Sequence, residues 1–204
     1  MPEILVNDRP YTSPPSGVKT VAELASEVCR AEADSPRMVV SLRCDGQDVE
    51  NERIEKVLAS AVEQYQKIEM LTQPIKAVVK ATLDQAVNLL EEATATRRRA
   101  ADLLDAGQQE EALQSLQRFF ELWRQIQETM LLCARSLEID LATVRVNNRS
   151  FLDVFEPIRD SLTTLRDGML NRDFVVVCDT LRYELEQPLN DWAAMLSYLR
   201  DQTK

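Results

Sequence analysis

From Ile75 to Leu104, apolar side chains return every three or four residues through Val78, Val79, Leu83, Ala86, Leu89, Leu90, Ala93, Ala100 and Leu103, with no glycine or proline between them. Such a run specifies an amphipathic helix. Pro74 suits its first position, where a missing N–H costs nothing, and Gly107 follows as a natural left-handed stop. The predicted helix is about 33 residues long, or ~50 Å at 1.5 Å per residue. A stripe that long needs other helices to cover it, because helical stability comes mostly from packing an apolar face.

The remaining sequence supplies three more stripes. Leu113, Leu116, Phe120, Trp123, Ile126, Met130, Leu131, Ala134 and Leu137 form the second. Phe151, Val154, Phe155, Ile158, Leu162, Leu165 and Met169 form the third, headed by a Ser150/Asp153 capping box. Phe174, Val177, Cys178, Leu181, Leu185, Leu189, Trp192, Met195, Leu196 and Leu199 form the fourth. Residues 138–149 lose the helical period, while Gly107 and Gly168 mark short connections at or near helix ends. Residues 74–204 therefore read as a mainly antiparallel four-helix bundle built from two long αα-hairpins.

Residues 1–73 are built differently. Six of the eight prolines fall within the first 74 residues. Ile4-Leu5-Val6 reads as a strand, followed by a turn-rich stretch from Asn7 to Gly17. Thr20 and Glu23 make a capping box for a helix over about Val21–Glu32. Met38–Cys44 reads as a strand closed by an Asp45-Gly46 turn, Glu52–Gln64 as a helix, and Lys67–Leu71 as a further strand. The expected class is α+β, a small β-α-β-α-β layer followed by the bundle.

Composition removes whole chemistries. With no histidine there is no Ser-His-Asp or Cys-His nucleophile, no histidine-containing zinc site and no Glu-x-x-His di-iron bundle. Four scattered glycines cannot build a P-loop or a dinucleotide turn, so no cofactor is expected. The formal charge of −10 is shared evenly, since residues 1–73 carry 13 acids against 8 bases and residues 74–204 carry 21 against 16. No basic arm emerges, which argues against nucleic acid and anionic membrane surfaces as partners. Arg97-Arg98-Arg99, bracketed by Glu91, Glu92, Asp102 and Asp105, reads as a solvated helix face. MPEILVNDRP lacks a basic n-region and no 18-residue apolar stretch exists, so neither a signal peptide nor a span is expected. Cys29, Cys44, Cys133 and Cys178 sit among apolar neighbours without a Cys-x-x-Cys pair and read as reduced core thiols of a cytoplasmic protein.

Carboxylates are the catalytic vocabulary that remains. Asp179 and Glu186 stand seven residues apart on one helical face, and Asp179 with Glu184 marks an alternative metal or acid–base site. Without a dense Asp-x-Asp pattern, solvation is the stronger explanation for all of them. Pro188, near Tyr183, Glu184 and Trp192, interrupts the last stripe and frees the carbonyl of Glu184; Pro157 does the same to Asp153. A kink that fits the helix to its neighbours outweighs a ligand site there. The aromatics Phe119 or Phe120, Trp123, Phe151, Phe155, Phe174 and Trp192 fall mostly on stripes. Taken together they could line a groove for a partner's amphipathic helix.

The segment DFVVVCDTLRYELEQPL, residues 173–189, followed by Trp192, resembles the last helix of uncharacterised bacterial proteins that also carry a small N-terminal α/β portion before long helices. That resemblance implies no activity. A generic likeness to flagellar export chaperones rests on acidic amphipathic helices alone. The expected function is protein binding, chaperone- or adaptor-like, with Trp123, Phe120, Trp192 and Tyr183 as candidate partner-binding residues and an acidic rim around an apolar strip. A carboxylate-dependent enzyme or metal-binding protein using Asp179 and Glu184 is the first alternative, and a structural homodimer the second.

Overall fold

The computed structural model describes residues 2–12, 17–31 and 35–204. The chain divides into two compact units, 1–78 and 79–204.

In the first unit, five strands among the described residues form a mixed sheet in the order β2-β1-β5-β3-β4. They are β1 (Glu3–Val6), β2 (Arg9–Pro10), β3 (Arg37–Cys44), β4 (Gln47–Asp48) and β5 (Lys67–Pro74), with β1 parallel to β5 and the other pairs antiparallel. Helices α1 (Val21–Ala31) and α2 (Asn51–Ala59) complete the unit. Alternation along β5 sends Ile68, Met70 and Thr72 inward, where Ile68 and Met70 join Val21, Leu24 and Val28 of α1 in the core. The α1 capping box is formed: Thr20 Oγ1 accepts from the Glu23 N–H at 3.2 Å and Glu23 accepts in return from the Thr20 N–H at 3.1 Å.

The two edge strands were not expected. Asn7 and Asp8 both take positive φ, of 50° and 63°, making a tight turn that folds Arg9 and Pro10 back onto β1. Asp45-Gly46 turns as read, but then adds β4 to the sheet. Helix α2 ends at Ala59 rather than Gln64. Ser60 leaves the helix in extended conformation, which lets Ala61 bridge to Thr20 before a 3₁₀ turn at Val62–Gln64. The expected end of α1 at Glu32 lies outside the described residues.

The second unit is helical. Helices α3 (Ile75–Asp105), α4 (Gln109–Ser136), α5 (Phe151–Asn171), α6 (Phe174–Asp179) and α7 (Glu186–Asp201) follow in order, with a small hairpin of β6 (Arg145–Val146) and β7 (Arg149–Ser150) before α5. α3 runs for 31 residues. It closes at Gly107, φ 74°, where the N–H of Gly107 bonds Leu104 and that of Gln108 bonds Leu103. Ion pairs show α3 antiparallel to both α4 and the last helix, with Arg118 on Glu92, Arg182 on Asp102 and Asp105, and Arg200 on Asp84.

Two sequence expectations change here. On α4, Leu116, Trp123, Ile126, Met130 and Ala134 are buried as expected, but Phe119 takes the core place while Leu113, Phe120 and Leu131 are exposed. Either phenylalanine fits a 3.6-residue repeat. Pro157 lies inside α5 as read, and the carbonyl of Asp153 that it frees accepts from Arg149 Nη2 at 2.7 Å. Gly168 lies near the end of α5 as read, but does not close it. The left-handed residue closing α5 is Arg172, φ 57°, and Gly168 sits within the helix, where a Cβ would lie 2.9 Å from Val177 Cγ2.

α6 therefore lies against a bare stretch of α5 backbone. Gly168→Ala is expected to lower stability by about 1–2 kcal/mol, overpacking outweighing the ~1 kcal/mol that alanine gains inside a helix. Urea unfolding measures this. A stabilised variant would mean that Val177 moves aside and that the close approach is not required.

Candidate functional site

The most unusual chemistry in the helical unit lies where α6 passes into α7. Thr180–Glu184 is a π turn, in which the Leu185 N–H reaches back five residues to Thr180 at 3.1 Å. In an α-helix that N–H would bond the carbonyl of Leu181. The vacated carbonyl instead accepts from Arg97 Nη1, which also reaches the carbonyl of Arg182 at 3.3 Å. Arg97 Nη2 donates to Glu186, whose carboxylate also takes Arg98 Nη2 at 2.9 and 3.0 Å. Arg97 is fully buried, so it is not part of a solvated face as the triple-arginine run suggested. The signal was present: Leu90, Ala93, Ala100 and Leu104 are all core residues, and Arg97 fills the missing step between Ala93 and Ala100.

Burial pulls the Arg97 guanidinium down from its usual value, and the hydrogen bond and charge of Glu186 oppose that. Bonds from Arg98 and then Arg97 hold the Glu186 carboxyl below the ordinary carboxylate range. The arrangement is a structural clasp, with both charges engaged by protein groups. Asp179 and Glu186 do not form an acid–base pair, since Glu186 is committed to arginine.

Asp179 and Glu184 are exposed, and Glu184 accepts from the buried Thr180 hydroxyl at 3.2 Å. Among the described residues no cluster of three acidic, cysteine or histidine side chains is positioned to hold a metal ion. Burial, first, pushes the Cys133 and Cys178 thiols up to about 11. Cys178 Sγ points to the Ala101 carbonyl at 3.7 Å.

The surface offers a different kind of site. α4 presents Leu113, Leu116 and Phe120 toward Leu162, Leu165, Met169 and Leu170 of α5, across two adjoining cavities of about 460 and 400 Å³ that share Leu116, Phe120 and Met169. A third cavity of about 230 Å³ continues the groove past Leu162 and Arg166 to Phe155 and Gln127. From Leu113 to Gln127 the α4 wall runs ~21 Å. The lining is mostly apolar and open to solvent: Leu113 is 49% exposed, Phe120 41% and Leu170 75%. Four charged residues line it, Glu121 and Arg124 from α4 and Arg159 and Arg166 from α5. Among the lining residues arginine outnumbers acid three to one, and each arginine pairs with an exposed carboxylate beside it, Glu128, Asp160 or Asp167.

The four candidate partner-binding residues separate. Phe120 lies in the groove. Trp123 and Trp192 are core residues packed edge to face at 4.6 Å and present no surface to a partner. Tyr183 is exposed on the π turn and does not line the groove. Leu162, Leu165 and Met169 were read as bundle core, and Leu165 is buried as read; the groove depends on which α4 residues stay exposed, which periodicity leaves ambiguous.

Residues 81–195 match the model of a family described as Domain of unknown function (DUF8042). No curated protein and no solved structure matches the chain.

Three outcomes test this geometry. Arg97→Met, which keeps apolar volume but orphans two carbonyls, is expected to lower the unfolding free energy by about 3 kcal/mol, measured in urea. Unchanged or raised stability would show the clasp to be dispensable. Because the Glu186 pKa is depressed, its contribution is complete above the unfolded value near 4.5 and is lost as pH falls through the folded value, a slope that Glu186→Gln should flatten. In the native protein at pH 8, a thiol reagent should leave Cys133 and Cys178 unmodified until unfolding; rapid labelling of either, read by mass spectrometry, would contradict their burial.

Proposed function

The chain belongs to the DUF8042 family and, because the α4–α5 groove falls wholly inside the matched segment, we propose that the protein is a non-enzymatic binding protein whose groove accepts an amphipathic helix of a protein partner. The observation that carries this reading is the continuous apolar lining with Leu113, Phe120 and Leu170 left open to water. Exposed apolar residues gathered along one groove, rather than scattered singly, are the usual mark of an interaction surface. A groove of ~21 Å holds about four helical turns, which is the size of an i, i+3/i+4, i+7 anchor pattern.

An adaptor or chaperone role is the reading that a helix-binding groove with a mostly apolar lining supports best. A bacterial cytoplasm is the setting favoured by the buried thiols Cys44, Cys133 and Cys178 and by the C-terminal resemblance.

A displayed library of helical peptides, selected in parallel on the wild-type protein and on Phe120→Glu, tests the reading. Expected is enrichment of sequences with an apolar stripe of helical period on the wild type and its loss on the variant. Equal enrichment on both would place binding elsewhere and overturn the proposal.

A further inference from the structure

We infer that the helix this groove accepts is acidic, with carboxylates two turns apart flanking its apolar stripe; this rests on the reading of the groove as a helix-binding site. Arg159 and Arg166 stand seven residues apart on α5, on the same side of the helix and ~10.5 Å apart along its axis. Both line the groove, as does Arg124 from α4, with Glu121 the one acid among the lining residues of the three cavities. A helix lying between these walls brings side chains two turns apart beside Arg159 and Arg166 in the same period.

These arginines already have carboxylate neighbours. Arg124 bonds Glu128 at 2.8 Å, Arg159 bonds Asp160 at 3.0 Å and Arg166 bonds Asp167 at 2.8 Å. All six side chains are at least half exposed, and such pairs are worth little and exchange easily. A carboxylate held against the groove wall is partly desolvated and gains more from the same guanidinium. The net charge of −10 opposes an acidic ligand at long range, but at physiological salt that field is screened beyond ~8 Å and the contacting groups decide.

Two synthetic helical peptides with one shared leucine stripe, bearing either glutamates or lysines at flanking positions two turns apart, are titrated by fluorescence anisotropy against the full chain. The glutamate peptide is expected to bind about tenfold tighter than the lysine peptide, with the preference reversed by Arg159→Glu/Arg166→Glu and abolished by Arg159→Gln/Arg166→Gln. Equal binding of the two peptides, both lost on Phe120→Glu, overturns the acidic specificity and leaves the groove standing, as does a preference indifferent to the arginine variants. Binding of neither peptide, binding undiminished by Phe120→Glu, or a wild-type dimer in light scattering that Phe120→Glu dissolves, overturns the helix-binding reading together with the inference.

Discussion

A single buried guanidinium organises the helical unit. Pro188 has no N–H to give Glu184, and the π turn before it shifts the Leu185 N–H from Leu181 to Thr180. A buried carbonyl without a donor is costly, and Arg97 supplies the donor from α3. Its charge is balanced by Glu186, the first residue of α7. The clasp thus ties the irregular joint between α6 and α7 to the C-terminal third of the longest helix. Arg182 on Asp102 and Asp105, and Arg200 on Asp84, fix the same antiparallel alignment on either side of it.

With the last helix held on α3, Trp192 lies edge to face against Trp123 of α4 and within 6.1 Å of Phe151 of α5. That contact turns Trp123 of α4 inward and leaves Leu113 and Phe120 at the edge of the same apolar face. α5 approaches that edge without closing over it. Gly168 shapes the same helix from behind by letting Val177 come within what would be a clash for any Cβ. The groove is a consequence of which face of α4 the core took.

Local chemistry was legible in the sequence because its determinants are a few residues apart. Thr20 with Glu23, Ser150 with Asp153, Asp45-Gly46 and Gly107 all do what their residue types dictate. The alternation of α+β layer and long helices followed from period and proline placement. What escaped depends on distant partners. Arg97 looks like surface until the carbonyls 84 and 85 residues away are in view. Phe119 and Phe120 are adjacent, and only the position of α7 and α5 decides which is core. The same ambiguity made the tryptophans look like binding residues, when their size made them the centre of packing.

The function drawn from this geometry stands on one surface. Arginine at the rim of an apolar groove, in a chain that is acidic elsewhere, separates local recognition from long-range repulsion and gives the site a direction of charge. Hydrogen–deuterium exchange of the full chain, with and without a bound acidic helical peptide, measures where such a ligand sits. The account predicts slowed exchange confined to α4 residues 113–127 and α5 residues 155–170. Protection at the π turn around Tyr183, on the N-terminal sheet, or nowhere in the chain would contradict it.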